Sequence, residues 1–434
     1  MGVMRYSRCQ LHTQLPQTPP EDLTAISADD QRDNPLTRSL SAWLAGEVRR
    51  AIELAATPGD DENDPRLAKI WHARLLTRVR ELPEATRVLD ELTTSYDVTD
   101  DAGVSAALTT CRAEFALAAG DAGSAFAEAN VGLGLVEGVG AYALLPDLHV
   151  VLALSAVRQS TTSTGLRFAR NLGDDALLGR TAHMRGQCVW AAAQAFEANG
   201  GPACVSHLVE RLISDDQLTQ ELLASQPAAA AWLVRLARSI GDERLAFKCV
   251  VRAESLTVKS WGLRSLHAAA LHAKGLFERN PDRLRAACEL YSDGWASASA
   301  AEDLAQTWSS LHLGQDRAVE QFKRAAAGYK RAGATRDLAR VASKLRELGV
   351  RSGRVRRPMR SDGHRTGSLT DTEFAVANLV SQGLTNVQVG RQLYISAHTV
   401  AFHLKKVFRK MEVSSRVELA RTWVSLTSDQ RTAG

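Results

Sequence analysis

The C-terminal fold is decided by the stretch SLTDTEFAVANLVSQGLTNVQVGRQLYISAHTVAFHLKKVFRKMEVSSRVELARTWVSL, residues 368–426. Its polar residues predict where helices begin. A hydroxyl group just before a helix can accept a hydrogen bond from a backbone N–H group that has no partner inside the helix. In a capping box, a Glu or Gln three residues later returns the bond. The four predicted starts are marked by Thr370 with Glu373, Thr385 with Gln388, Ser396, and Ser415 with Glu418.

These starts predict four helices, near residues 371–382, 386–393, 397–411 and 415–426. Gly383 follows the first helix, at a position suited to the left-handed conformation that ends many helices. Only a few residues separate the second helix from the third, which is typical of a helix-turn-helix. The stretch is therefore predicted to form a small four-helix domain.

The third helix has one apolar face and one basic face. In a major groove, long cations can reach phosphates or the edge of guanine, whereas an alanine or a phenylalanine offers only apolar contact, for example to a thymine methyl group. The stripe expected in the core is Val400, Leu404, Val407 and Met411, and the opposite face is Ala401, Phe402, Lys405, Lys406 and Arg409.

Individual residues of this helix carry different expectations. Phe402 lies off the apolar stripe, so we expect it to be exposed towards DNA. Lys405 is the strongest single candidate for a base contact. For His403 we favour a packing role.

The charge of the chain is distributed unevenly. Residues 351–434 hold 14 Lys and Arg against 6 Asp and Glu, whereas the rest holds 39 against 43. Such an asymmetry is typical of a protein in which one small module binds a polyanion. Charge alone does not separate DNA from RNA or a membrane.

The stretch resembles the DNA-binding domains of the LuxR/GerE family. The resemblance includes the segments Gly383-Leu384-Thr385-Asn386, Ile395-Ser396, Thr399-Val400, His403-Leu404 and Ser415-Arg416. It implies that the third helix contacts the major groove, that the start of the second lies near the DNA backbone, and that the fourth pairs two subunits. The implied DNA-binding residues are Thr385, Asn386, Gln388, Ser396, His398, Thr399, Val400, Ala401, Phe402, Lys405, Lys406 and Arg409, and the implied dimerisation residues are Ser415, Val417, Glu418, Ala420 and Arg421.

One residue departs from the pattern of the family. Ala401 stands directly after the Thr-Val pair, where the family often has Lys or Glu. Base contacts are therefore expected to shift towards Phe402 and Lys405.

Residues 36–350 form a succession of amphipathic helical patterns separated by short turns. Three Gly-Asp pairs are each expected to end one helix and cap the next. We predict a TPR-like domain of helical hairpins for sensing or interaction, with an irregular helical bundle as the alternative. Tryptophans in this region are expected to be core rather than to line a ligand groove. The pairs are Gly120-Asp121, Gly173-Asp174 and Gly241-Asp242, and the tryptophans are Trp190, Trp232, Trp261 and Trp308.

The end of this helical region, GYKRAGATRDLARVASKLRELGVR at residues 328–351, resembles the segment that precedes the DNA-binding domain in the large MalT-like LuxR regulators. Those proteins carry an ATPase module, but this sequence has no GxxxxGK[ST] motif to hold a triphosphate. Nor does the sequence show the strand-helix alternation of a phospho-receiver domain.

The flanking segments differ in composition from the helical patterns. We expect residues 1–35 to form a disordered arm and residues 351–368, which hold six arginines, to form a flexible basic linker. The linker is either simply solvated or in contact with phosphates. Residues 369–434 are assigned to the DNA-binding domain.

Cysteine spacing and hydropathy exclude several other classes of protein. The six cysteines form no CxxC pair, so we expect neither zinc nor disulfides, and we expect the last five to behave as small buried hydrophobes. No apolar run is long enough to span a membrane, and the start lacks the pattern of a signal peptide, so a cytoplasmic protein is expected. The cysteines are Cys9, Cys111, Cys188, Cys204, Cys249 and Cys288.

Taken together, the sequence predicts an all-α bacterial regulator of transcription. We expect a homodimeric activator that binds an inverted repeat in double-stranded DNA and contacts RNA polymerase, with a small-molecule or protein effector at the helical domain. No cofactor is expected, and no catalytic motif indicates an enzyme. The alternative is an interaction scaffold whose C-terminal domain serves mainly for dimerisation.

Overall fold

This computed structural model describes residues 35–57, 64–96, 100–311, 314–350, 369, 371–381, 383–393, 397–411 and 413–429. The chain divides into two compact units, Met1–Arg351 and Ser352–Gly434, which we call the helical unit and the C-terminal unit. The predicted arm, apart from Pro35, and the predicted linker lie outside the described residues.

The predicted all-α fold class is confirmed, since the described residues form helices joined by turns and contain no strand. None of the described helices is long and apolar enough to cross a membrane. In the helical unit they are α1 (Pro35–Leu44), α2 (Val48–Ala56), α3 (Pro65–Arg78), α4 (Leu82–Ser95), α5 (Ala102–Ala119), α6 (Ala122–Val139), α7 (Leu145–Arg158), α8 (Thr162–Leu177), α9 (Arg185–Gly200), α10 (Ser206–Ser214), α11 (Asp216–Ser225), α12 (Ala229–Ser239), α13 (Glu243–Lys259), α14 (Arg264–Glu278), α15 (Pro281–Leu290), α16 (Gly294–Ser310), α17 (Gln315–Arg331) and α18 (Thr335–Glu347), with 3₁₀ segments at Tyr142–Leu144 and Pro202–Val205.

The helices of this unit pack as hairpins in series. α3 packs against α4, α5 against α6, and α7 against α8. The first helices of these hairpins also contact one another, α3 with α5, α5 with α7, and α7 with α9. Because neighbouring helices pack together and the first helices of successive hairpins also contact one another, the arrangement is compatible with the TPR-like array predicted from the sequence.

Two of the three Gly-Asp pairs form the predicted turns. Gly120 and Gly241 end α5 and α12 with φ of +87° and +80°, a left-handed conformation that costs glycine little. Asp121 and Asp242 cap the next helices, each accepting a hydrogen bond from the backbone N–H three residues on, at 2.9 and 2.8 Å. These turns separate the helices as expected.

The prediction for the third pair is wrong, because Gly173 and Asp174 lie inside α8. Beyond the pair, Asp175 of α8 is buried, and its carboxylate lies 2.6 Å from Nδ1 of His149 on α7. Continuing the helix keeps Asp175 at this partner, and leaving a buried carboxylate unpaired would cost more than the roughly 1 kcal/mol that a glycine costs inside a helix.

The ion pairs in the described part of the helical unit include two networks that each join three helices. In the first, Arg74 donates to the Glu114 carboxylate at 2.8 and 2.9 Å, and Arg78 Nη2 donates to Asp147 at 3.0 Å. Arg74 also pairs with Asp147. Their side chains are at most 11% exposed. The network joins α3, α5 and α7.

The second network joins α16, α17 and α18. Arg340 donates two hydrogen bonds of 2.7 Å to Glu302, and the Tyr329 hydroxyl donates a third at 2.8 Å. Nearby, His272 lies 2.8 Å from Asp303. Removing one partner of such a pair strongly lowers the stability of the fold, because the other charge would remain buried and uncompensated.

The expectation that the tryptophans are core is wrong for one of the four. Trp190 and Trp308 are buried, and Trp232 is half-buried and packs against the core. Trp261, in contrast, is 71% exposed. It lies in a turn, where the guanidinium of Arg49 stacks 4.7 Å above its ring, so one face of the indole is covered by a cation instead of the core.

The cysteines divide in a similar way. Cys111, Cys188, Cys249 and Cys288 are buried, as expected, and burial raises the pKa of the Cys111 thiol to about 12. Cys204 is exposed, because it lies in a 3₁₀ segment and not on a packed helix face. Among the described residues, no group of three or more His, Cys, Asp or Glu side chains could hold a metal ion.

Candidate nucleic-acid interface

The C-terminal unit contains the four helices that the caps predict, with bounds within three residues of the expected ones. α19 packs on α21 and α22, and α20 packs on α21, around an apolar core. The helices are α19 (Asp371–Ser381), α20 (Asn386–Leu393), α21 (Ala397–Met411) and α22 (Arg416–Asp429). The core consists of Val376, Ala377, Val380, Val389, Val400, Leu404, Val407, Met411, Val413, Leu419 and Trp423.

The capping box at the start of α20 is confirmed. The backbone N–H of Thr385 donates to Gln388 Oε1 at 2.8 Å, and the backbone N–H of Gln388 donates to Thr385 Oγ1 at 3.3 Å. Gly383 has φ of +88° and ends the preceding turn as expected. The other predicted caps Thr370 and Ser396 lie outside the described residues.

The start of α22 uses a variant of the predicted box. Ser415 Oγ accepts from the backbone N–H of Glu418 at 3.2 Å. The Glu418 carboxylate accepts instead from the backbone N–H and hydroxyl of Ser414, both at 2.7 Å, one residue earlier than in a standard box. These hydrogen bonds lower the pKa of Glu418.

α21 has the two faces that its sequence predicts. Val400, Leu404, Val407 and Met411 are buried in the core, and on the other side Ala401, Phe402, Lys405 and Arg409 are exposed and Lys406 is half-buried. One residue of the predicted DNA-binding set needs correction. Val400 has no exposed surface, so its side chain packs the core and cannot contact DNA.

Phe402 is exposed, as expected, with 55% of its surface accessible. Lys406 Nζ lies 4.3 Å from the centre of its ring, one helical turn further on. A cation over an aromatic face is attracted to the ring. The pair therefore places a cation and an apolar surface side by side on the outer face of α21.

The cations on this face are available to a ligand. In the described part of the C-terminal unit, no carboxylate lies within ion-pair distance of Lys405, Lys406 or Arg409. Lys410 differs, because it pairs with the buried carboxylate of Glu373 on α19. This pair ties the end of α21 to the core.

Arg416 is a positioning residue that the sequence reasoning missed. Its guanidinium donates to Asn386 Oδ1 at 2.7 Å and to the carbonyl of Leu384. Arg416 follows the Ser415 cap, so its place at a helix start was visible in the sequence, but its partners lie about thirty residues away. It holds the start of α20 against α22.

The remaining residues of the predicted DNA-binding and dimerisation sets differ in their exposure. Thr385, Gln388, Ser415, Glu418 and Arg421 are exposed, and Asn386, Thr399 and Ala420 are half-buried. Ser396 lies outside the described residues, and the side chains of His398 and Val417 are likewise outside them. Half-buried His403 has a buried Nδ1 with no hydrogen-bond partner in the described structure.

This arrangement of four helices, with the second and third forming a helix-turn-helix, coincides with a match to a protein family. The model of the bacterial regulatory proteins of the luxR family matches residues 367–423. These residues form a LuxR-family helix-turn-helix domain. The expected family resemblance is thereby confirmed.

Curated relatives match the chain over short segments. The nitrate/nitrite response regulator protein homolog of Haemophilus influenzae is 46% identical over 50 residues, 12% of this chain and 24% of that protein. The monoamine regulon transcriptional regulator of Klebsiella aerogenes is 44% identical over 57 residues, 13% of this chain and 25% of that protein.

A third relative is much longer than the segment that matches. It is a Mycobacterium bovis protein, whose name describes an HTH-type transcriptional regulator, and it is 43% identical over 67 residues. The match covers 15% of this chain and 7% of that protein. The chain thus spans only a small part of the relatives it matches.

Proposed function

We propose that this chain is a sequence-specific DNA-binding regulator of transcription whose α21 contacts bases in the major groove. The outer face of α21 carries the proposal, because it presents Lys405 and Arg409 on a helix fixed by its buried stripe. A major groove about 12 Å wide admits one α-helix. The exposed Thr385 and Gln388 at the start of α20 would contact the DNA backbone.

The names of the relatives support the same class of function, since they describe transcriptional and response regulators. The LuxR-family similarity does not define the DNA sequence that this chain would bind. Ala401, which stands where the family often has Lys or Glu, and its neighbour Phe402 are exposed on the face that would meet the bases. The proposal assigns base contacts to Lys405 and Phe402, and phosphate contacts to Lys406 and Arg409.

The decisive experiment selects bound sequences from a randomised duplex library with the full-length protein at near-physiological salt. Salt must be fixed because phosphate contacts make affinity strongly dependent on it. Lys405→Ala should lose about 1–3 kcal/mol of binding or of base discrimination. Lys323→Ala is the control, since it removes an exposed lysine of the helical unit. Selection of no sequence would refute the proposal and favour the interaction scaffold.

A homodimer paired through α22 is the second part of the proposal. Two copies related by a two-fold axis would place two α21 helices on the halves of an inverted repeat. Exposed Glu418 and Arg421 belong to the predicted pairing face, with half-buried Ala420 between them. Sedimentation of the protein on its selected DNA should give two chains per site, whereas one chain per site would exclude the dimer.

The third part of the proposal concerns the direction of regulation. We infer an activator that contacts RNA polymerase, with an effector bound by the helical unit, because this large unit lies outside the residues that match the DNA-binding family. Transcription in vitro from a promoter carrying the selected site should rise on addition of the protein. A fall would instead indicate a repressor.

A further inference from the structure

An apolar stripe runs along the exposed side of α13 and into the turn that follows it. Single exposed apolar side chains are common on protein surfaces, but a row of them along one helix marks a surface that another segment can cover. The row consists of Phe247, Val251, Val258 and Trp261, with 53%, 43%, 78% and 71% of their surfaces accessible. Its three helical members recur at the spacing of a single helix face. We call this set the α13 stripe.

Cations flank the α13 stripe. Among the described residues, no carboxylate lies within ion-pair distance of Arg244, Lys248 or Lys259, and all three are exposed. Two of them lie near the start of the helix and one at its end. A segment that covers this face should therefore combine apolar side chains with carboxylates, because opposite charges across an interface select the partner.

A groove continues this surface beyond the end of α13. It has a volume of about 500 Å³ and lies between the turn after α1, the start of α2 and the end of α13. Its charged lining residues, in which cations outnumber carboxylates, are Arg49, Arg50, Lys259, Glu47 and Glu53. Arg49 also lies 4.7 Å from the centre of the Trp261 ring and donates two hydrogen bonds to the Trp261 carbonyl. The groove and the α13 stripe thus meet at Trp261.

The sequence before α1 has the complementary composition. Residues 17–34, QTPPEDLTAISADDQRDN, lie outside the described residues and carry five carboxylates and one arginine. Along this segment the acidic pair Glu21-Asp22 is followed by Leu23 and Ile26 and then by the acidic pair Asp29-Asp30. The α13 surface has the matching order, with cations at both ends and apolar residues between them. A segment of this composition can bind such a surface without a core of its own.

The segment is long enough to reach this surface. It leads directly into α1 at Pro35, and a short turn joins α1 to α2, which packs against it. The groove therefore lies about one length of α1 away, which is about 15 Å, and the stripe on α13 extends about 17 Å further. Eighteen extended residues span up to about 60 Å. The residues nearest α1 would reach the groove first.

We propose that residues 17–34 bind to the α13 stripe and the adjoining groove of the same chain. Asp29 and Asp30 pair with the cations of the groove, Leu23 and Ile26 cover the stripe, and the first acidic pair meets the cations near the start of α13. A second copy of α13 is a poorer partner, because it would bring like charges together. The proposal does not depend on DNA binding.

The test places a photoreactive side chain on the stripe of the full-length protein by Val258→p-benzoylphenylalanine. Val258 is exposed, so this substitution does not disturb the core. After irradiation, mass spectrometry of the digested monomer should find cross-links from position 258 to residues 17–34. Leu178→p-benzoylphenylalanine is the control, because Leu178 is equally apolar and exposed but lies after α8. It should give no cross-link to that segment.

Variants of the segment test the assigned contacts without altering a described residue. Ile26→Asp should lower the yield of the cross-link about tenfold, the factor that burying one isoleucine side chain supplies. Asp29→Lys should lower the yield as well, and most at low salt, where charges are least screened. Thr13→Asp adds a charge outside the proposed segment, so it is the matched control for Ile26→Asp and should leave the yield unchanged.

Three results would overturn the proposal. Cross-links from position 258 only to a second chain would assign the surface to a dimer. The absence of any cross-link to residues 17–34 would show that this segment does not cover the stripe. Equal yields in Ile26→Asp and Thr13→Asp would exclude the assigned apolar contact. None of these results affects the proposal of DNA binding, which is tested by the library selection.

Discussion

The two units of this chain place their charged side chains differently. In the helical unit, Arg74 and Arg78 are buried against Glu114 and Asp147. In the C-terminal unit, Lys405 and Arg409 lie on the surface of a helix whose inner face is apolar, and no carboxylate among the described residues pairs with them.

This difference shows what charge does in each unit. Buried ion pairs fix the positions of α3, α5 and α7 relative to one another, since a shift of one helix would leave a buried charge without its partner. Exposed cations contribute little to stability and stay available for a polyanion. Changes to charges should therefore affect folding in the helical unit and binding in the C-terminal unit.

The largest effect is expected from Asp147→Asn. Arg74 and Arg78 would lose a buried carboxylate, and breaking such a pair typically costs about 3–5 kcal/mol. Urea denaturation followed by circular dichroism should show this loss. Asp90→Asn, at an exposed position on α4, is the control and should stay within about 0.5 kcal/mol of the natural chain. Equal stabilities of the two variants would contradict the assigned role of the network.

The same network predicts a dependence on pH. Burial alone would raise the pKa of Asp147, but Arg74, His183 and Arg78 together hold it well below its ordinary value. A carboxyl group whose folded pKa is depressed stabilises the protein above its unfolded pKa, near 3.9, and this stabilisation is lost as the pH falls through the folded pKa. The free energy of unfolding should fall on acidification, and less steeply in Asp147→Asn. Parallel slopes would exclude the linkage.

Leu404→Ala and Lys405→Ala compare adjacent residues on opposite faces of α21. Leu404 is in the core, so its truncation should cost about 2–5 kcal/mol of stability in the C-terminal unit. Lys405→Ala should leave stability within about 0.5 kcal/mol but weaken specific DNA binding by about 1–3 kcal/mol. Melting curves and binding titrations of the same preparations separate the two effects. A large stability loss in Lys405→Ala would remove the distinction between the faces.

Arg416→Ala tests a cation that should matter both for stability and for DNA binding. Because Arg416 donates to Asn386 and to the Leu384 carbonyl, its loss should cost about 1 kcal/mol of stability. The start of α20 should loosen, so DNA affinity should fall as well. Lys323→Ala is the comparison, since Lys323 is exposed in the helical unit and lies outside the predicted DNA-binding and pairing faces. Identical behaviour of the two variants in melting and binding would refute the positioning role.

The smallest effect is expected on the DNA side. If Phe402 contacts a thymine methyl group, replacing that thymine by deoxyuridine should weaken binding about fourfold, the equivalent of roughly 0.8 kcal/mol for one buried carbon. Phe402→Ala should bind both duplexes alike, whereas Phe402→Leu should retain the preference. An unchanged affinity at every thymine of the selected site would show that Phe402 makes no such contact.

The C-terminal unit could be predicted from the sequence in much detail, because its signals are local. The box of Thr385 with Gln388 and the apolar stripe of α21 depend on spacings of three or four residues, and the turn at Gly383 depends on that glycine itself. Helix geometry alone converts such spacings into caps and faces. The exposure of Phe402 followed from the same spacing.

The helical unit could be predicted only as a class of fold. Periodicity indicated helices in series, but it misplaced a turn at Gly173 and a core position at Trp261. Both depend on what packs against the helix, which propensity does not specify.

What the sequence by itself determined is therefore the helices, their caps and the faces of α21, because these follow from neighbours along the chain. Only the tertiary structure decided which charges are buried together. Arg74 and Asp147 are 73 residues apart in sequence, and no local spacing relates them. They meet because α3 and α7 both pack against α5. The cost of removing each charge from water is offset only by the partner that packing brings to it.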